Sequence, residues 1–80
     1  MTYYLLLEGD TEEDALYDTN ILGEVSFETF YPSVGFIMLN RIINEKPELL
    51  ESLQIFDEQK KTYTITKFLD KLEKWKIKST

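Results

Sequence analysis

SFETFYPSVGF, residues 26–36, places four aromatic rings, Phe27, Phe30, Tyr31 and Phe36, in eleven positions that also hold Pro32 and Gly35. The fold turns on whether these rings fill a core or line a site. Each could bury about 150–250 Å², and a domain this small needs such burial to offset the entropy of ordering its chain. Phe27, Phe30 and Phe36 are therefore read as core, and Tyr31, just before Pro32, as a ring left at the surface for a partner. Ser26 is expected to cap a short helical turn over 27–31. Pro32 interrupts it, lacking an N–H, and Ser33 starts a helix running to about Glu45. Gly35, in the first turn of that helix, costs about 1 kcal/mol relative to Ala. The close approach of another backbone would explain it.

Working outward, Thr2–Glu8 (TYYLLLE) reads as an inner strand covered on both faces, ending at the turn signal Gly9-Asp10. Asp10–Asn20 is acidic and turn-rich, with Ala15, Leu16 and Tyr17 able to dock it, and Ile21-Leu22-Gly23 is a small apolar anchor. Pro47 suits the first position of a short helical turn, Pro47–Leu53. Gln54–Asp57 and Lys61–Thr64 read as two strands around a polar turn. Thr64 caps a final amphipathic helix whose apolar residues, Ile65, Phe68, Leu69, Leu72 and Trp75, recur at helical spacing, with Ile77 beyond. The expected fold is a single α+β domain over residues 1–80: a short antiparallel sheet of about three strands packed against two or three helices.

Composition narrows the function. The chain of 80 residues is 42% hydrophobic and 14% aromatic, which argues against disorder. It contains no cysteine and no histidine, so disulfides, thiolate chemistry and the commonest general base and metal ligand are missing. The run Tyr3–Leu7 is too short to span a bilayer and lacks the basic flank of a leader. An intracellular or particle-bound setting fits a small domain without disulfide staples better than a secreted one. The net charge of −6 is unevenly spread: residues 1–40 carry eight acids and no base, whereas residues 41–80 carry nine bases and seven acids. Either the two charged faces are simply solvated, or the molecule docks by charge, with self-association through opposite patches as one form of it.

No catalytic pattern emerges. Asp10, Glu12 and Asp14 have the spacing that opens a calcium loop, but Ala15 stands where the loop needs Gly and Ile21 where it needs Glu. Gly23-Glu24-Val25-Ser26-Phe27 lacks the second glycine of a nucleophile elbow, and the scattered glycines build no phosphate loop. The chain is read as no enzyme, with no cofactor or metal site, no direct nucleic-acid binding and no membrane attachment. Candidate partner-binding residues are Tyr31, Trp75 near the C-terminal end, and the acidic group Asp10, Glu12, Glu13, Asp14 and Asp18.

The phrases YYLLLEGD (3–10), LYDTNILGEVSFETFYPSVGF (16–36) and YTITKFLDKL (63–72) resemble small uncharacterised proteins of T4-like marine phages, as found in cyanophages, over most of the chain. The resemblance implies a viral origin, a non-enzymatic accessory or virion role, and a host cytoplasm or a virion as the location. The leading expectation is thus a non-catalytic protein-interaction module, a virion or assembly component with viral structural proteins as partners. The alternative is an acidic binder that inhibits or redirects a host enzyme handling nucleic acid.

Overall fold

The computed structural model describes residues 1–11, 13 and 18–78. Its centre is a mixed sheet of six strands in the order β5-β4-β1-β2-β3-β6, twice the expected number. The strands are β1 (Thr2–Leu6), β2 (Ile21–Ser26), β3 (Thr29–Pro32), β4 (Gln54–Asp57), β5 (Thr62–Tyr63) and β6 (Lys76–Ile77). Two α-helices, α1 (Val34–Glu45) and α2 (Ile65–Leu72), and two 3-10 segments, Asp18–Asn20 and Pro47–Ser52, complete the described elements. All neighbouring strands are antiparallel except β3 and β6, which pair in parallel.

β1 is central, as expected, but only one of its faces is sealed. Its burial alternates, with Tyr3 and Leu5 inward and Thr2, Tyr4 and Leu6 half-exposed. Period-2 alternation is what a strand shows when helices cover one side only. Tyr3, Leu5, Leu22, Phe30 and Ile55 form the sheet's contribution to the core, where Leu39 of α1 and Ile65, Phe68 and Leu72 of α2 meet them. On the other face Tyr4 and Phe56 stack with ring centroids 5.1 Å apart.

The stretch 26–31 forms a hairpin, not a helical turn. Ser26 pairs with Thr29, leaving Phe27-Glu28 as a two-residue loop. Both loop residues have positive φ, 48° and 64°, the signature of a type I′ turn, whose twist matches that of the flanking strands. The register sends Phe30 fully inside and Phe27 fully outside, 97% exposed. Phe27 is therefore not core. Pairing with β2 on one side and with β6 on the other engages backbone groups that a single helical turn ahead of Pro32 would leave open.

β2 departs from a simple alternation. Tyr3 pairs with Gly23 but Tyr4 with Ile21, so Leu22 is an extra residue in a bulge. Leu22 and Gly23 are consequently both buried in succession. Gly23 has φ +152°, and a Cβ there would stand 2.5 Å from the Tyr31 carbonyl oxygen and 2.7 Å from Phe30 Cζ. Only the missing side chain lets the Phe30 ring lie over this strand.

Three helical starts follow the sequence. Ser33 is the N-cap residue of α1 by its extended backbone, though its side chain makes no capping bond. Pro47 opens the 3-10 segment. Thr64 accepts the N–H of Lys67 at 3.2 Å. α2 stops at Leu72, short of the apolar pattern that continues to Trp75 and Ile77. The chain instead turns and pairs with β3, where Lys76 donates to the Glu28 carbonyl (2.9 Å) and Lys78 to that of Phe30 (3.0 Å). Those bonds close a sheet edge that would otherwise lie open.

Gly35 is tolerated in α1 for the reason the sequence offers. A Cβ there would meet the Ile21 carbonyl oxygen at 2.6 Å, so the helix rests directly on the start of β2. Gly35→Ala should therefore destabilise the fold by about 1–3 kcal/mol, despite the better helix propensity of alanine. Urea unfolding checks this, and a gain in stability would contradict the close approach.

Candidate functional site

Three surfaces compete for a functional role. The first is the β2–β3 hairpin tip and the strand beside it. A bulky side chain at positive φ is a backbone outlier, and Phe27 spends that strain to hold its ring in solvent. Tyr31, on the face of β3 opposite Phe30, is 41% exposed, and Lys78 Nζ stands 5.5 Å from its ring centroid. Tyr31 is thus at the surface, as its position before Pro32 implies. Trp75 is half-buried on the other side of the sheet. Its ring lies 5.5 Å from Tyr3, 6.1 Å from Phe30 and 6.4 Å from Phe68, nearly parallel to Phe30. Trp75 therefore serves the core cluster, and the sheet separates it from Tyr31.

The second surface is the acidic end. Asp10 lies by the C-terminal end of β1, whereas the hairpin tip is by its start, where Val25 donates to the Met1 carbonyl. One Asp10 oxygen, Oδ2, accepts from the Leu7 N–H and from Asn20 Nδ2, each at 3.3 Å. Buried Asn20 also donates to the Leu5 carbonyl at 2.9 Å, so this carboxylate closes the chain around β1. Glu13 is exposed. Asp18 begins a 3-10 segment by its backbone. Glu12 and Asp14 lie outside the described residues, so the acidic group is not seen assembled. Among the described residues no three acidic side chains gather to hold a metal ion.

The third surface is the β5 edge, beside the lysine-bearing side of α2. A groove of about 580 Å³ runs between the 3-10 segment, β5 and α2, with Leu50, Leu53, Ile65 and Leu69 among its walls. Beside it, Lys61, Lys67, Lys71 and Lys74 line a second hollow of about 320 Å³, with Asp70 as the only acid among its described residues. Lys67 and Lys71 share one face of α2 by helical spacing, Lys74 follows in the turn just after the helix, and Lys61 reaches the same hollow from the β4–β5 turn. The Lys61 and Lys71 ammonium groups stand 5.5 and 5.4 Å from the Tyr63 ring centroid, a cation–π distance.

A buried charge shapes this edge. Asp57 is 2% exposed. One carboxylate oxygen accepts the Tyr63 hydroxyl at 2.8 Å, and the other the N–H groups of Gln59 (2.8 Å) and Lys61 (3.1 Å). Burial pushes its pKa up, but the Tyr63 hydroxyl, the two backbone donors and the Lys61 charge together outweigh it and hold the carboxyl below its ordinary value. Burial, followed by the Asp57 hydrogen bond and charge, raises the Tyr63 hydroxyl. The pair fixes the turn that carries Lys61, and it sets Tyr63 beneath the lysines.

Known protein families, curated proteins and solved structures were compared with the chain, and none matches. No helix among the described residues is long and apolar enough to cross a membrane.

The Asp57 geometry has a pH consequence. Because the folded state favours the ionised carboxylate, its contribution is complete above the ordinary Asp pKa of about 3.9 and is lost as pH falls through the lower folded value. Asp57→Asn should cost about 1–2 kcal/mol at pH 7, since charge-assisted bonds become neutral ones. The gap between the two proteins should narrow as pH drops below about 4. Urea denaturation at pH 7 and pH 3 measures it, and a gap that stays constant would show that the charge is not what matters.

Proposed function

We propose that this chain is a non-catalytic protein-interaction module, phage-encoded, that works as a virion or assembly component. The observation that carries the interaction reading is Phe27. Its ring contributes nothing to the core, its backbone conformation costs about 1–2 kcal/mol, and asparagine or glycine would fill the turn without that cost. Strain kept at a displayed aromatic is the kind of outlier from which a binding role is inferred. If a partner buries the ring, about 150–250 Å² of surface at about 25 cal/mol per Å² returns several kcal/mol, more than the turn costs. Exposed Tyr31 on β3, and Val34 and Ile37, each more than half exposed on α1, add further apolar area. The phage origin and assembly role rest on the likeness of the three quoted phrases to small phage proteins.

The acidic-binder alternative would draw on Glu8 and Glu13, both exposed near the end of β1, and its complex would dissolve in salt. An interface centred on Phe27 would resist salt. The test is a quantitative affinity capture from infected and uninfected lysate, at low and high salt, with the wild-type chain and Phe27→Asn. The variant should fold, with stability unchanged or higher by up to about 1 kcal/mol, while recovery of viral structural proteins falls at least tenfold. Equal recovery by both chains would remove Phe27 from the interface. Absence of the chain from purified particles would end the virion reading.

A further inference from the structure

We propose that the β5 edge is a second docking site, which takes an extended, acidic segment of a partner protein as an added strand. The inference deepens the interaction-module reading and rests on it, but it uses a different surface, so the two can fail separately.

Backbone geometry supplies the first argument. β5 ends the sheet order, so among the described residues one of its sides has no strand beside it. Asp57 donates to the Lys61 carbonyl, and the pairing continues with Tyr63 opposite Ile55. In an antiparallel ladder such bonded pairs alternate with pairs whose backbone groups point away. Thr62 therefore turns its N–H and C=O outward, toward the vacant side. An extended peptide that lies along this edge can exchange two main-chain hydrogen bonds with Thr62, the mode by which many domains capture a strand.

The surroundings of the edge supply the second argument, and they say what the strand should carry. The groove beside β5 is walled by Leu50, Leu53, Ile65 and Leu69, which suits one or two aliphatic side chains on one face of the incoming strand. The adjoining hollow presents Lys61, Lys67, Lys71 and Lys74 against the single carboxylate of Asp70. Four lysines against one carboxylate leave the lining of this hollow positive, which favours an anionic side chain. Thr62, Tyr63 and Lys67 border both spaces, so one strand can reach the apolar walls and the lysines together. An aliphatic residue with a carboxylate nearby along the strand fits this edge. Nucleic acid fits it less well, since the net charge of −6 opposes a polyphosphate and no exposed ring stands among the residues of the lysine hollow for a base to stack on.

The test uses the full chain and a fluorescein-labelled peptide of alternating valine and glutamate, read by fluorescence anisotropy. Saturable binding is expected, weakening at least tenfold between 50 and 500 mM salt. Lys67→Glu with Lys71→Glu should weaken it at least tenfold. Thr62→Pro should abolish binding while circular dichroism stays unchanged, because the N–H it removes makes no bond to β4. If that variant does not fold, a peptide N-methylated at alternate residues on the wild-type chain asks the same question. Binding of a valine–lysine peptide or of the N-methylated peptide as tight as that of the acidic one would overturn the proposal, as would no saturation at millimolar peptide. Self-association of the protein that Thr62→Pro abolishes would identify a second copy as the occupant and overturn the assignment to a separate partner. Phe27→Asn should leave peptide binding unchanged, so a failure here does not touch the hairpin interface.

Discussion

Four rings, Tyr3 of β1, Phe30 of β3, Phe68 of α2 and Trp75 beyond it, hold the molecule together. Their centroids lie between 5.4 and 6.4 Å apart for each contacting pair. Tilted and offset ring pairs add favourable energy beyond the area they bury. The cluster has a topological effect as well. α2 leaves β5 at one edge of the sheet, and β6 joins β3 at the other, so the rings anchor the element that spans the strands between. Without them β6 would have only two paired residues to hold it. Because helices and rings gather on one face, the other face and both edges are left to define the surface.

The two edges are managed differently. At β3 the C-terminal strand closes the edge with lysines at 76 and 78, a common way of discouraging further strands. At β5 the buried Asp57 carboxylate shapes the turn, and the edge stays short, with no strand of the described residues beyond it, next to an apolar groove. An ionised group that deep is tolerated because three donors meet it. The fold thus places a constrained turn, a tyrosine and four lysines together, although Lys61 is far from Lys71 and Lys74 in the chain.

Much of the skeleton is legible in the sequence. Thr64 with the spacing of Ile65, Phe68, Leu69 and Leu72 reads directly as a capped helix, and Gly35 announces a close backbone approach. What cannot be read locally is pairing. Nothing in Phe27-Glu28 has the Asn-Gly chemistry of a two-residue hairpin, so a run of aromatic residues passes for core and a strand pair for a helical turn. Trp75 and Ile77 fit the helical period of α2, yet the free edge of β3 draws the chain into β6. The bulge at Leu22 hides the alternation of β2. Of the candidate site, Tyr31 is legible from its neighbour Pro32. The β5 edge is not, because its walls come from three separate segments.

Binding through the hairpin requires that the same short stretch divide its rings sharply, with Phe27 displayed and Phe30 enclosed. Fluorine NMR tests this most directly, with 4-fluorophenylalanine at all five phenylalanines and a soluble paramagnetic agent added. The resonance that Phe27→Asn removes should broaden strongly, while those of Phe30, Phe56 and Phe68 stay protected. A Phe27 resonance as protected as that of Phe30 would contradict the hairpin, and with it the surface on which the proposed function stands.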